Sequence, residues 1–460
     1  MLELITITFC VGSYGIARCV LGNYMGFLMG CAEIVKCVFY VSSSVVSLGG
    51  MIVMIEPSMK GLEPVIYLVF YIVSLVLCIF SGRLFWRFST VLGILSLGIL
   101  LLYCFSSLKD VNFMKYAYTP STNDSPVSDP WFVGGAYQFV QVLPLSAWMF
   151  IGVEALRKTS GDIPNPKVNI PRGQVACMLT LLATGMFVIF VSASLSPSLA
   201  VTAMLPVPFN NGTLNKTYTY TPLTHTLLYA LYIHLSYIRH ICVGFQLAYG
   251  LSNNVTAKYA TILSIPATFG TAFGFLFIYG KIIMCMSNSK LLPEFLSYRH
   301  PTTRSPYMAL IVGSIISYCI CIGGLYYTPF HKQTFNISMF AASYDYIWQM
   351  VGYILLRTKY QTIKCDFRNP FGIYGAVWSM LIFGVTLFSV MVFQIDYLAL
   401  IIGSTICGSL SVWYFIYAKY KQTFSEEEQK TFFTIHVINC KYNVYEYIVY
   451  EYIVYVYSIR

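Results

Sequence analysis

Apolar residues in this chain run in long blocks and do not alternate with polar ones. Ten blocks stand out, at 24–51, 64–81, 88–107, 136–156, 175–195, 259–280, 307–325, 339–356, 374–393 and 397–417. Each is close to the roughly 20 residues that carry a helix across a hydrocarbon core about 30 Å thick. Lipid offers no partners for backbone N–H and C=O groups, so only helices or closed barrels can span it, and blocks without alternation exclude the barrel. The pattern predicts an all-α polytopic membrane protein with about ten transmembrane helices.

Composition agrees: 57% of the 460 residues are hydrophobic and 10% are charged, with mean hydropathy +0.68, against roughly 25% charged in soluble domains. The net charge of +10 does not point to nucleic acid, because the basic residues are spread through the loops between apolar blocks instead of clustering on one soluble face. They report topology. Arg18, Arg87, Arg157, Lys158, Lys281, Lys290, Arg357, Lys359, Lys419 and Lys421 belong to alternate loops, and 20 of the 28 Lys and Arg residues fall on that side. The positive-inside rule makes it cytoplasmic, and the C-terminus with it. Five N-x-[ST] sequons, at Asn123, Asn211, Asn215, Asn254 and Asn336, all fall on the opposite side, as candidate glycosylation sites must. Such sequons suit a protein of the secretory pathway, and the expected location is the plasma membrane. The 14 cysteines sit mostly inside apolar blocks and form no metal spacing, which makes them small core residues.

Residues 19–421 form the predicted transmembrane domain, with outer loops at 108–135 and 196–258. The second loop contains an apolar, tyrosine-rich piece at 227–250, interrupted by Arg239 and His240, which reads as an interfacial helix. The first 18 residues, MLELITITFCVGSYGIAR, are too short to span and have neither the basic start nor the small-residue cleavage site of a signal peptide, so they read as the remnant of a second membrane helix. Residues 422–460 form a cytoplasmic tail in which Ser425 and Glu428 make a capping box and EYIVY at 446–450 repeats at 451–455.

Ionisable residues inside spans are costly and mark candidate sites. They are Glu33, Lys36, Glu154 and Asp345. Glu33 and Lys36, three apart, can neutralise each other on one helical face. Asp345, between Tyr344 and Tyr346, can be a hydrogen-bonded structural aspartate or a substrate, proton or ion group. Glu154 can snorkel, pair with Arg157, or serve a site. A phosphate loop, a nucleophile–base pair and a metal cluster are all missing from the sequence, so neither an enzyme nor a cofactor or metal is expected.

The order WMFIGVEAL (148–156), then DIPNPKVNIPRG (162–173), then a new span, resembles the amino acid, polyamine and organocation permease superfamily. Its members typically carry Phe-x-Gly-x-Glu, an acidic residue, Asn-Pro, a basic residue and Ile-Pro-Arg-Gly, here Phe150, Gly152, Glu154, Asp162, Asn165, Pro166, Lys167, Ile170, Pro171, Arg172 and Gly173. YGKIIMCMSNSKLLPEFL (279–296) is similar to the segment after the family's eighth helix, and 21–45 to its third helix; the likeness spans 4–430. The resemblance implies an inverted five-plus-five repeat with the first and sixth helices broken at the midplane, where backbone meets substrate. By that likeness Phe150 would close over an amino acid or organic amine, Ile151 would present its backbone, and Gly152 would allow the unwound turn. Glu154 would attract an amine or carry a proton, with Glu33, Tyr40 and Ser264 lining the site. On this alignment the family's first helix and part of the second have no counterpart, so the expectation is a truncated version of that fold. Two functions follow: alternating-access transport, or a non-transporting paralogue that partners a full-length permease.

Overall fold

The computed structural model describes residues 12–80, 82–116, 135–163, 165–194, 253–359, 371–394, 397–426 and 428–429. Eleven helices organise them: α1 Gly12–Val20, α2 Asn23–Ile55, α3 Glu63–Ile79, α4 Gly82–Ser107, α5 Gly135–Trp148, α6 Pro166–Ala193, α7 Asn253–Asn288, α8 Tyr307–Tyr326, α9 Thr328–Lys359, α10 Gly372–Phe388 and α11 Leu398–Trp413. Among the described residues, eight helices are long and apolar enough to cross a membrane. The other two predicted spans differ for separate reasons. Helix α3 has 17 residues and falls just short. Helix α9 has 32 residues, but Gln333, Thr334, Asn336, Ser338, Ser343, Asp345 and Gln349 lie along it, all buried. Polar side chains on a span must be satisfied by protein, so α9 sits inside the bundle.

The same logic sorts the other helices. About half of the apolar windows of α2 and α7 is buried by protein, against well under a fifth for α4. Helices α2, α7 and α9 form the centre, with α2 packed most extensively on α7 and α9. The α7 side chains Phe273, Leu276, Tyr279, Ile282 and Met286, spaced by three or four, are almost wholly enclosed. Outward faces, such as Val65, Leu68, Val69, Ile72 and Val76 of α3, remain exposed and apolar, as a lipid-facing helix requires.

Helix α1 lies across the start of α2, where a Cβ at Gly26 would meet the Arg18 backbone nitrogen at 2.6 Å; only a glycine lets the two backbones approach so closely. At the end of α3, Thr303 and Ser305 donate hydroxyl hydrogen bonds to the Ile79 carbonyl (2.6 and 2.7 Å), satisfying an oxygen the helix leaves open. The predicted capping box is present: Ser425 N donates to Glu428 Oε2 (2.8 Å) and Glu428 N to Ser425 Oγ (3.3 Å). It also has a tertiary partner, because Arg18 Nη1 contacts both Glu428 oxygens at 2.9 and 3.0 Å and Ser289 Oγ donates to Oε2 at 2.7 Å.

Asn336 is buried inside α9, its amide donating to Gln333 Oε1 (2.8 Å). A glycan has no room there, which removes this sequon from the expected set. Asn254 lies in the first turn of α7, while Asn123, Asn211, Asn215, the 227–250 piece and the tyrosine repeat fall outside the described residues. Of the cysteines, Cys19, Cys31, Cys37, Cys78, Cys104 and Cys321 are buried as expected, whereas Cys177 and Cys319 are exposed.

Candidate functional site

The site begins with a break in the chain's course. Helix α5 stops at Trp148, and the path turns through Met149–Gly152 before resuming as a 3₁₀ helix, Val153–Asp162. The residue that permits the turn is Gly152, at φ 98° and ψ −6°, a region L side chains enter only at a cost. Its missing side chain also leaves space for a ring: a Cβ there would lie 2.6 Å from Phe275 Cζ. The Gly152 N–H donates to Glu154 Oε2 (3.0 Å), with Tyr346 Oη at 3.4 Å. The Glu154 carboxylate therefore closes over the first turn of the helix it opens, where an acidic group is favoured.

A 3₁₀ helix has three residues per turn, so positions i and i+3 lie above one another. Glu154 and Arg157 thus share a face, and both are buried. That face meets α2 and α9. Lys36 Nζ donates to Glu154 Oε1 (2.7 Å) and to Asp345 Oδ2 (2.9 Å), while lying 4.8 Å over the Tyr346 ring. Tyr346 Oη donates to Glu154 Oε2 (2.6 Å). Gln349, one turn along α9, donates to Asp345 Oδ1 (2.9 Å) and accepts from Arg157 Nη2 (2.9 Å). Lys158 Nζ reaches Glu33 Oε2 on α2 (2.6 Å). The cluster joins three cations, Lys36, Arg157 and Lys158, to three anions, Glu33, Glu154 and Asp345. Burial of such charges is costly unless they are paired, and the pairing here ties three separate chain segments together.

An aromatic layer covers one side. Tyr40 stacks between Trp148 (centroids 4.0 Å apart, planes 5° from parallel) and Phe275 (4.0 Å, 22°), and Trp148 meets Phe335 at 4.6 Å. Phe275 is the ring that occupies the space at Gly152, so the aromatic layer and the break share a wall.

The sequence-selected residues distribute unevenly over this arrangement. Glu154 and Asp345 hold Lys36, Glu33 holds Lys158, Gly152 bonds to Glu154, Tyr40 stacks in the aromatic layer, and Ile151 is buried in the turn. Phe150 is half-buried in the turn, its N–H bonded to Ala147 O (3.0 Å), and Ile151 N–H is bonded to Trp148 O (3.2 Å). Ser264 lies elsewhere. It is buried on α7, and Thr268, which donates to its carbonyl, also contacts Met51 Sδ, about fifteen residues or roughly 22 Å of helix along α2 from Lys36. Lys36 turns to the carboxylates of two other segments, and Arg157 bonds to Gln349 where pairing with Glu154 was open. Sequence reasoning named Arg157 and Tyr346 only as neighbours of Glu154 and Asp345, and it did not select Lys158, Gln349, Trp148 or Phe275 for the site. The four-residue step from Asp345 to Gln349, which places both on one helical face, was the available signal. Among the described residues no group of three His, Cys, Asp or Glu side chains is arranged to hold a metal ion.

A broken helix facing a buried ionic cluster between central spans is a transporter's arrangement, and a sequence profile described as amino acid permease matches residues 3–438, nearly the whole chain. The chain belongs to the amino acid permease family. Membership makes it a multi-pass membrane protein of a family whose members are transporters rather than enzymes and whose general activity is amino acid transport. Comparison with curated proteins finds no match.

Proposed function

We propose that this permease moves an amino acid or organic amine across the plasma membrane by alternating access, with its basic end in the cytoplasm. The observation that carries the reading is the Gly152 break set directly against the Lys36–Glu154–Asp345 cluster. Glu154 and Asp345 are the groups an amine or a proton would engage, because they face each other across one ammonium. Glu33 joins through Lys158, and Tyr40 with Phe150 and Ile151 would form the wall beside the substrate. Opening the site to one side requires the 3₁₀ segment to move relative to α2 and α9, and the ion pairs that join them are the contacts that would exchange.

The test is uptake of radiolabelled amino acids and ethanolamine by proteoliposomes of the purified chain. Wild-type protein is expected to take up at least one of them, Gly152→Leu to lose uptake at normal expression, and Glu154→Gln to weaken uptake or shift its pH optimum. Normal uptake by both variants would remove this stretch from the site. If wild-type protein takes up no substrate at all, the non-transporting alternative, a membrane partner of another permease, replaces transport.

A further inference from the structure

The ionic cluster is complete at every member but one. Lys36 is held by two carboxylates, Lys158 by Glu33, and Glu154 by Lys36, Tyr346 and the Gly152 N–H. Arg157 differs. It is 5% exposed, its hydrogen bond runs from Nη2 to the neutral amide of Gln349, and its Nε and Nη1 have no acceptor. A guanidinium is always charged and carries five N–H donors suited to carboxylates. Leaving buried donors of a charged group unsatisfied costs on the order of 1–3 kcal/mol or more. Such a cost persists where the donors are used in another state of the molecule.

The position of Arg157 indicates what would use them. It is one 3₁₀ turn beyond Glu154 on the same buried face, so an amine that takes the place of Lys36 Nζ on the Glu154 carboxylate and an anion at Arg157 lie side by side along one segment. An α-amino acid presents those two groups, with a short fixed spacing.

Building on the transport reading above, we propose that Arg157 is a specificity-determining residue whose free Nε and Nη1 donors take the substrate's carboxylate. The permease then selects amino acids over the corresponding simple amines. Loss of the carboxylate would leave the donors unpaired, and a site built to hydrogen-bond a polar group rejects an analogue that lacks it.

The test compares L-leucine with isoamylamine, which is leucine without its carboxylate, in proteoliposomes and by thermal stabilisation of the detergent-purified protein. Wild-type protein is expected to favour leucine. Arg157→Gln should raise the leucine KM about tenfold or more, with a far smaller effect on isoamylamine, so that discrimination collapses; Arg157→Lys should recover part of it. A leucine KM unmoved by Arg157→Gln overturns the proposal, as does an equal loss for both ligands with no recovery in Arg157→Lys, which would mark a scaffold residue. If neither ligand is transported, stabilisation decides: leucine stabilising wild-type protein but not Arg157→Gln keeps the carboxylate site while rejecting transport, and no stabilisation of either protein rejects both.

Discussion

Replacing Gly152 by alanine separates two penalties that the structure superimposes. The first is conformational: at φ 98° an L residue is strained by about 1–2 kcal/mol whatever surrounds it. The second is steric, since the new methyl would sit 2.6 Å from Phe275 Cζ, and that ring is fixed against Tyr40 by stacking. Overpacking of this kind costs about 1–3 kcal/mol. The expected total is about 2–5 kcal/mol, measured by reversible unfolding in detergent micelles alongside uptake. Phe275→Leu removes the clash but not the strain. A cycle of wild type, both single variants and the double variant should therefore show a favourable coupling of about 1–3 kcal/mol, with about 1–2 kcal/mol of the Gly152→Ala cost remaining. Gly152→Ala within about 0.5 kcal/mol of wild type, the usual range for a substitution away from any special feature, would refute the broken-helix geometry. Zero coupling would refute the contact alone.

Lys36→Met leaves Glu154 and Asp345 facing each other without a cation, and should destabilise by about 3–5 kcal/mol; adding Glu154→Gln and Asp345→Asn should restore much of the loss in the same unfolding assay. Arg18→Met should cost a similar amount by stranding buried Glu428, whereas Arg18→Met with Glu428→Met should cost far less, because the desolvated charges leave together. Proteolysis of the tail, followed by gel electrophoresis, should speed up in the single variant more than in the double. Asn336→Gln should leave electrophoretic mobility unchanged in glycosylating cells, since Asn336 is enclosed in α9; a mobility shift would contradict its burial.

Several features follow from the sequence because lipid imposes them locally. A run of about 20 apolar residues has few alternatives to a spanning helix, so α2, α4, α6, α7, α8, α10 and α11 fall where the blocks place them. The break at Gly152 was legible through the family resemblance, and a glycine there fits it because φ preference belongs to the residue itself. The re-entering helix starts earlier than the prolines suggest: Pro166, expected in the linker, sits at the first position of α6, and Pro171, expected in the first turn, lies inside it. The scarcity of charge inside the spans also singled out Glu33, Lys36, Glu154 and Asp345 before any fold was known.

Partnership lay beyond the sequence. Whether Lys36 answers Glu33 three residues away, or Glu154 and Asp345 at separations of 118 and 309 residues, depends on how α2, the 3₁₀ segment and α9 pack. Local spacing carries no information about that. Helix α9 makes the same point in reverse, because a polar span is stable where other helices satisfy its side chains, and the bundle supplies those partners. Ser264 and Asn336 were placed by helix position and by motif, each blind to rotation and burial; in the folded chain one lies far along α7 from the cluster and the other is sealed inside α9. Apolar length determined the class of this protein, and the likeness of 148–173 to the permease motif marked the point where its helix breaks. Tertiary packing alone decided which charges meet there, because a charge selects its partner by distance and burial in space.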